Sequence, residues 1–252
     1  MKLGIIAALS EEIEQSKSAM DVKRVHKIAM RNIYQGDLYG VDTRLCLSRV
    51  GKVSAATTAS LLIHHFNVDA IIFTGVAGGA QPYVNVGDIV VATGLVQHDL
   101  DARPIFPQYQ VPLLNKDLFS VDPRLQQQSV TACQQLNIDV TVHQGLIASG
   151  DRFIHCPEDL SRIREQLNQH FQQPLLCVEM EGAAVAQVCY EHAVPLAVIR
   201  IISDNADQDA AIDFQTFIDQ IAAPYSDGIL RQLYQQLRTT GFTQEFDLAE
   251  SN

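Results

Sequence analysis

The sequence has no tryptophan, and its 252 residues include only 14 glycines, 9 prolines and 5 cysteines. Glycine and proline this sparse exclude a collagen-like or low-complexity chain. Long apolar runs are also missing: no stretch approaches the roughly 18 consecutive apolar residues that a membrane helix needs, so no membrane partner is expected. Basic residues are scarce as well. Lys and Arg number 18 against 29 Asp and Glu, a net charge of −11 that is a poor match for phosphate backbones or anionic lipid. Nucleic acid is therefore not an expected partner. The cysteines (46, 133, 156, 177 and 189) are odd in number, scattered, and form no CxxC. Neither a disulfide framework nor a metal site is expected, and the thiols read as reduced ones in a cytoplasmic protein. Ser10-Glu11-Glu12 interrupts the first apolar run where a signal peptide would need a longer apolar core.

What is present is an ordinary globular composition, 47% apolar and 19% charged, enough chain for one large domain or two modest ones. Short apolar runs alternate with helical patterns, the signature of an α/β protein with a largely parallel sheet. Strands are expected at 3–8, 25–29, 33–39, 41–50, 70–74, 89–96, 145–149 and 195–202. Helices are expected at 10–20, 52–66, 123–136, 157–168, 180–192 and 214–237. Residues 103–116 hold three prolines and read as a long loop, which in a compact domain is usually functional. No repeat or linker is evident, so a single domain over 1–238 is expected, with a tail from 239 that lacks periodicity.

Five segments carry residues suited to chemistry. Ser10-Glu11-Glu12 follows a strand and opens a helix; by itself this is better explained as a cap with acids complementing the helix dipole. Thr74 to Gly79 is a glycine-rich turn after a strand. It lacks both the G-x-G-x-x-G and the G-K-[ST] spacing, which disfavours a nicotinamide or ATP cofactor. Its glycines suit either close approach of backbone amides to a ligand or a tight structural turn. In Ser149-Gly150-Asp151-Arg152-Phe153-Ile154, Phe153 suits stacking on a flat base or simple core packing. Val178-Glu179-Met180-Glu181 places two carboxylates before an alanine-rich helix; buried, they would need donors such as sugar hydroxyls, and exposed they would form an acidic first turn. Finally, Arg200 interrupts a strand that otherwise looks fully buried, and Asp204 emerges at its end; this is either an ion pair with an Asx turn or a site.

In order along the chain, GII-A with Glu12, S-x-V-GK (48–52), TG-AGG (74–79), VGDIVV (86–91), HD-D (98–101), SGD-FI (149–154), VEME (178–181) and R-ISD-AD (200–207) resemble the 5′-methylthioadenosine/S-adenosylhomocysteine nucleosidases of the nucleoside phosphorylase superfamily. The resemblance runs from residue 1 to about 237. It implies an α/β fold, a single three-layer domain whose central mixed, partly barrel-like sheet is flanked by helices. It also implies an N-ribosyl hydrolase acting on adenine nucleosides with a 5′ thioether, without a cofactor or metal, as a homodimer. By the same resemblance the catalytic residues are Asp204, the acid that protonates adenine N7, Glu12, which polarises the attacking water, and Arg200 nearby. Glu181 holds the ribose hydroxyls with Met180 beside the sugar, while Phe153 and the Ile154 backbone form the purine slot. Val76, Ala77, Gly78 and Ser203 border the substrate, and Leu9, Val50, Ile105 and Phe214 surround the 5′ group.

Phosphate needs fixed cationic donors, arginine above all. Phosphorylases of this superfamily carry G-D-P-x-R and R-V-G-[ST] segments where this chain has Leu9-Ser10-Glu11-Glu12 and Phe73-Thr74-Gly75-Val76. Both arginines are missing, which suits water. Val76 replaces a serine common in the family, Ala7 and Leu9 replace a more usual Gly and Met, and the 102–112 loop departs from the best-known members. A futalosine-type hydrolase is the enzymatic alternative, and a non-catalytic nucleoside-binding module on the same fold is the alternative of another class.

Overall fold

The computed structural model describes residues 1–136, 138–207, 217 and 223–240. The ten strands belong to one sheet. They are β1 (Lys2–Ala7), β2 (Asp21–Ile28), β3 (Arg31–Leu38), β4 (Val41–Leu47), β5 (Ala70–Gly79), β6 (Ile89–Gln97), β7 (Phe119–Ser120), β8 (Val142–Ser149), β9 (Leu175–Glu179) and β10 (Leu196–Asp204). The helices are α1 (Glu14–Ala19), α2 (Lys52–Phe66), α3 (Pro123–Gln134), α4 (Pro157–Phe171), α5 (Gly182–Glu191) and α6 (Ala223–Thr240).

The order β10-β6-β8-β9-β5 closes on itself because β10 also pairs with β5, leaving β1, β4, β3 and β2 as an open wing. The fold is thus a single α/β domain around a mixed, partly barrel-like sheet, as the sequence predicts. The alternation of side chains along a strand explains the layering. In β1, Leu3, Ile5 and Ala7 pack into a core with α3 and α6, whereas Ile6 faces a second core with Ala55, Ala59 and Leu62 of α2 and Ala183 of α5. β5 splits the same way, Ala70 and Ile72 against Ile71 and Phe73. A third cluster packs Leu160, Ile163 and Leu167 of α4 under the ends of β8 and β9.

Several expectations are corrected. The glycine-rich 74–79 segment is no turn. It prolongs β5 between β10 on one side and β9 on the other, where glycines let three strands and the groups between them approach closely. β9 was unforeseen, since five residues between two helices give little periodicity. The expected helix at 10–20 starts only at Glu14: Ile13 holds the N-cap position without a side-chain cap, and the Ser10 hydroxyl donates to Glu11. The strand expected at 25–29 begins at Asp21, on the polar outer wing where hydrophobicity gives no signal. The tail expected from 239 still has Thr239 and Thr240 in α6; residues 241–252 lie outside the described residues, as does Phe214.

Candidate active site

A cavity of about 570 Å³, counting its open mouth, lies beyond the carboxyl ends of β1, β8, β9 and β10 and against β5, where open parallel sheets place their ligands. Leu9, Glu12, Val50, Val76, Ala77, Gly78, Phe153, Ile154, Met180, Glu181, Ser203 and Asp204 all line it. These are residues that the sequence places in six separate segments. Ala8, Arg152, Val178 and Glu179 line it too. Two assigned residues do not. Ile105 is 81% exposed and stands away from this chain's own cavity. Arg200 lies behind the wall, fully buried.

One end of the cavity concentrates charge. Glu12 follows β1 in a tight loop that turns its carboxylate back on the chain. Oε2 accepts from the Ala8 and Leu9 N–H groups, both at 2.9 Å, and Oε1 from the Val76 N–H of β5 at 3.0 Å. Burial pushes its pKa above the ordinary 4.5, against the pull of those N–H groups and of the Arg200 charge. Glu181 holds the N-cap position of α5, and its Oε1 accepts from the Gly51 N–H at 2.9 Å. Its pKa is raised first by burial and then by the Glu179 charge.

Glu179, the last residue of β9, organises this end. Its Oε2 accepts from Arg200 Nη2 at 2.7 Å, and its carboxylate caps α5 through the Gly182 N–H at 2.8 Å and the Glu181 N–H at 3.2 Å. The Ser149 hydroxyl also donates to it, while itself accepting from the Ala183 N–H at 2.7 Å. The Arg200 guanidinium lies 4.1 Å from the centre of the Phe73 ring. One cation therefore faces three carboxyls, with its charge felt at Glu12, Glu179 and Glu181. Sequence reading left Glu179 either a buried acid in need of donors or part of an acidic first turn, and did not pair it with Arg200. The signal was available: a lone arginine inside a buried strand requires a carboxylate partner.

The other end is sparse. Asp204 closes β10, 1% exposed; its Oδ2 accepts from the Ser203 hydroxyl at 2.7 Å and its Oδ1 from the Ala206 N–H at 2.8 Å. Gly78 stands opposite it in β5. Phe153 stacks on His155 with an interplanar angle of 17°, at the cavity mouth. The arrangement suits a flat ligand that presents a proton acceptor to Asp204 and hydroxyls and a water to the carboxyls opposite. Among the described residues no cluster of His, Cys, Asp and Glu is suited to a metal ion, and no helix is long and apolar enough to cross a membrane.

Comparisons with known proteins agree with this geometry. The family model of the phosphorylase superfamily matches residues 2–234. The 5′-methylthioadenosine/S-adenosylhomocysteine nucleosidase of Anoxybacillus flavithermus is 37% identical over 238 residues, covering 94% of this chain and 99% of its own. The crystal structure of the Neisseria meningitidis nucleosidase of that name, in complex with methylthio-immucillin-A, superposes with a TM-score of 0.86 at 34% identity, over 94% of this chain and 99% of that one. The futalosine hydrolase of Helicobacter pylori superposes with a TM-score of 0.84 at 30% identity, over 94% and 98%.

Proposed function

The chain belongs to the 5′-methylthioadenosine/S-adenosylhomocysteine nucleosidases of the phosphorylase superfamily, and from that membership we propose how its cavity performs their reaction. The enzyme hydrolyses the N-glycosidic bond of 5′-methylthioadenosine or S-adenosylhomocysteine, releasing adenine and the 5-thioribose product. As the C–N bond lengthens, positive charge develops on the sugar and negative charge on the base. Asp204 gives its proton to N7, so adenine departs neutral. Water attacks the anomeric carbon while Glu12 takes its proton, and Glu181 accepts hydrogen bonds from the ribose hydroxyls. Glu179 keeps Arg200 directed at the three-carboxyl end, which makes Glu179 and Arg200 positioning residues and leaves the chemistry to Glu12 and Asp204.

The observation that carries this reading over a phosphorylase is Glu12 itself. A buried carboxyl held by three backbone N–H groups stands at the cavity end that a phosphate would need to enter. The arginines near that end are engaged by acids, Arg200 by Glu179 and Arg152 by Asp159. Incubating the protein with 5′-methylthioadenosine, with and without phosphate, tests it. Adenine should appear at the same rate in both; release only with phosphate, or none, would overturn it. S-adenosylhomocysteine and futalosine assayed alongside rank the substituents.

The protein acts as a homodimer in this reading. Ile105, Leu113 and Val53 are 81%, 87% and 79% exposed, apolar side chains available to a second copy of the chain. The partner's 103–114 loop, with its Ile105, would cover the 5′ group. Light scattering should give twice the monomer mass, and Ile105→Asp should raise KM for the thioether nucleoside. The five free thiols fit a reducing cytoplasm.

A further inference from the structure

Three sequence segments of the resemblance meet outside the reacting end of the cavity. Lys52 opens α2, Asp99 follows β6, and Asp151 follows β8, and together they close a ring. Lys52 Nζ lies 2.5 Å from Asp99 Oδ1 and 3.7 Å from Asp151 Oδ2. The Lys52 backbone N–H donates to Asp151 Oδ1 at 3.0 Å, and the Asp151 N–H donates to Asp99 Oδ2 at 2.9 Å. The lysine side chain is only 14% exposed, so its charge is less screened than that of a surface pair. Lys52 holds the Asp99 carboxyl below its ordinary range. Behind the ring, a Cβ on Gly150 would lie 2.2 Å from His98 Nε2, so any larger residue there would have to displace the His98 ring.

The ring borders the site through Gly51. That residue has φ +98°, a conformation open to glycine and strained for any other residue. Its N–H is the donor that Glu181 Oε1 receives. Fixing the next residue, Lys52, by both backbone and side chain therefore fixes the direction of that N–H. Val50 and Phe153, both at the cavity mouth, flank the ring residues in sequence.

We propose that Lys52, Asp99 and Asp151 form a clamp that positions the Gly51 N–H on Glu181, and so sets the ribose-binding carboxylate and the cavity mouth for substrate. None of the three need touch the nucleoside; they are positioning residues. The inference rests on reading Glu181 as the ligand of the ribose hydroxyls. Without the ammonium, two carboxylates are left facing each other and the α2 N-terminus keeps only the backbone half of its anchor, the Lys52 N–H on Asp151.

Lys52→Met should raise KM for 5′-methylthioadenosine by about tenfold while kcat changes by less than about twofold. Lys52→Arg should restore most of that loss, and Asp99→Asn, which keeps the side-chain shape, should reproduce it. The decisive readout is a cycle with Glu181→Gln: a clamp acting through Glu181 has little left to lose in that background, whereas general loosening of the fold lowers affinity equally in both. Equal losses in the two backgrounds would overturn the proposal. Hydrogen exchange at the Gly51 amide of the unliganded protein decides independently of turnover. It should quicken in Lys52→Met, and unchanged exchange would sink the clamp even if the wild type cleaves its substrate. Absence of adenine release by the wild type, with quickened exchange in the variant, would instead refute the proposed activity and leave the clamp standing.

Discussion

The two ends of the cavity are built by one device and loaded differently. In the register of β10 with β5, Arg200 stands opposite Gly75 and Asp204 opposite Gly78. A Cβ on Gly75 would lie 2.9 Å from Glu12 Oε1 and 3.1 Å from Arg200 Nη1; one on Gly78 would lie 2.8 Å from Asp204 Oδ1. At both ends a glycine makes room for a charged group inside the sheet. The load then differs. Asp204 takes the Ser203 hydroxyl and the Ala206 N–H among its donors. Glu12, Glu179 and Glu181 crowd around one guanidinium, and burial raises the pKa of both Glu12 and Glu181. A carboxyl held by a hydroxyl and an N–H at the end of a buried strand suits delivery of a proton to a base. A crowded set suits accepting one, because the cation and the neighbouring acids decide how many protons it holds.

Substituting the two acids breaks the comparison most severely. Asp204→Asn and Glu12→Gln should each lower kcat/KM by about 10² to 10⁴-fold in an adenine-release assay. If the ends have separate duties, Asp204→Asn should still bind an uncleavable adenosine analogue within a few-fold of wild type. The glycines come next. Gly75→Ala and Gly78→Ala should each cost about tenfold to a hundredfold in kcat, since displacements of about 1 Å are felt on that scale. Gly75→Ala should also disturb the acid limb of the pH profile, which Gly78→Ala should leave in place.

The wild-type acid limb is a finer test. Glu12 must be unprotonated to accept a proton from water, and its pKa lies above the ordinary 4.5. Activity should therefore fall, as pH is lowered, at a value above 4.5, and the fall should vanish from the residual activity of Glu12→Gln. The smallest effect concerns stability. Folding raises the pKa of Glu181, so the folded chain holds that proton more tightly than the unfolded one. The contribution is fully present below the unfolded value and is lost as pH rises through the folded one. Glu181→Gln should thus melt above wild type at alkaline pH, with the gap closing below about pH 4, while its affinity for the nucleoside drops.

The resemblance supplied the site residues, and their places in the sequence are consistent with strand ends. Glu12, Phe153, Glu181 and Asp204 each follow or close an apolar run, and open parallel sheets gather such ends at one place. The wing strand β2 was only half legible, since both its faces are largely exposed and carry no alternation. β9 was hidden by its length, and Glu179 with it. The glycine run misled for a physical reason: glycine marks a turn in isolation, yet here its missing side chain serves cross-strand contact. Ile105 reads as an apolar residue in a long loop, but nothing local says whether such a residue covers its own cavity or faces outward.

Composition and local pattern determined, unaided by coordinates, that this is an α/β chain and which acids follow its apolar runs, while the resemblance implied that the phosphate arginines of the phosphorylases are missing. Which acid meets which base was decided only by the closed barrel. The Arg200 bond to Glu179 spans 21 residues and the Gly51 bond to Glu181 spans 130. Their partners are set by the register of β5 against β9 and β10, a property of strand pairing across the whole sheet, whereas periodicity reports only on neighbours within one strand or one helix turn.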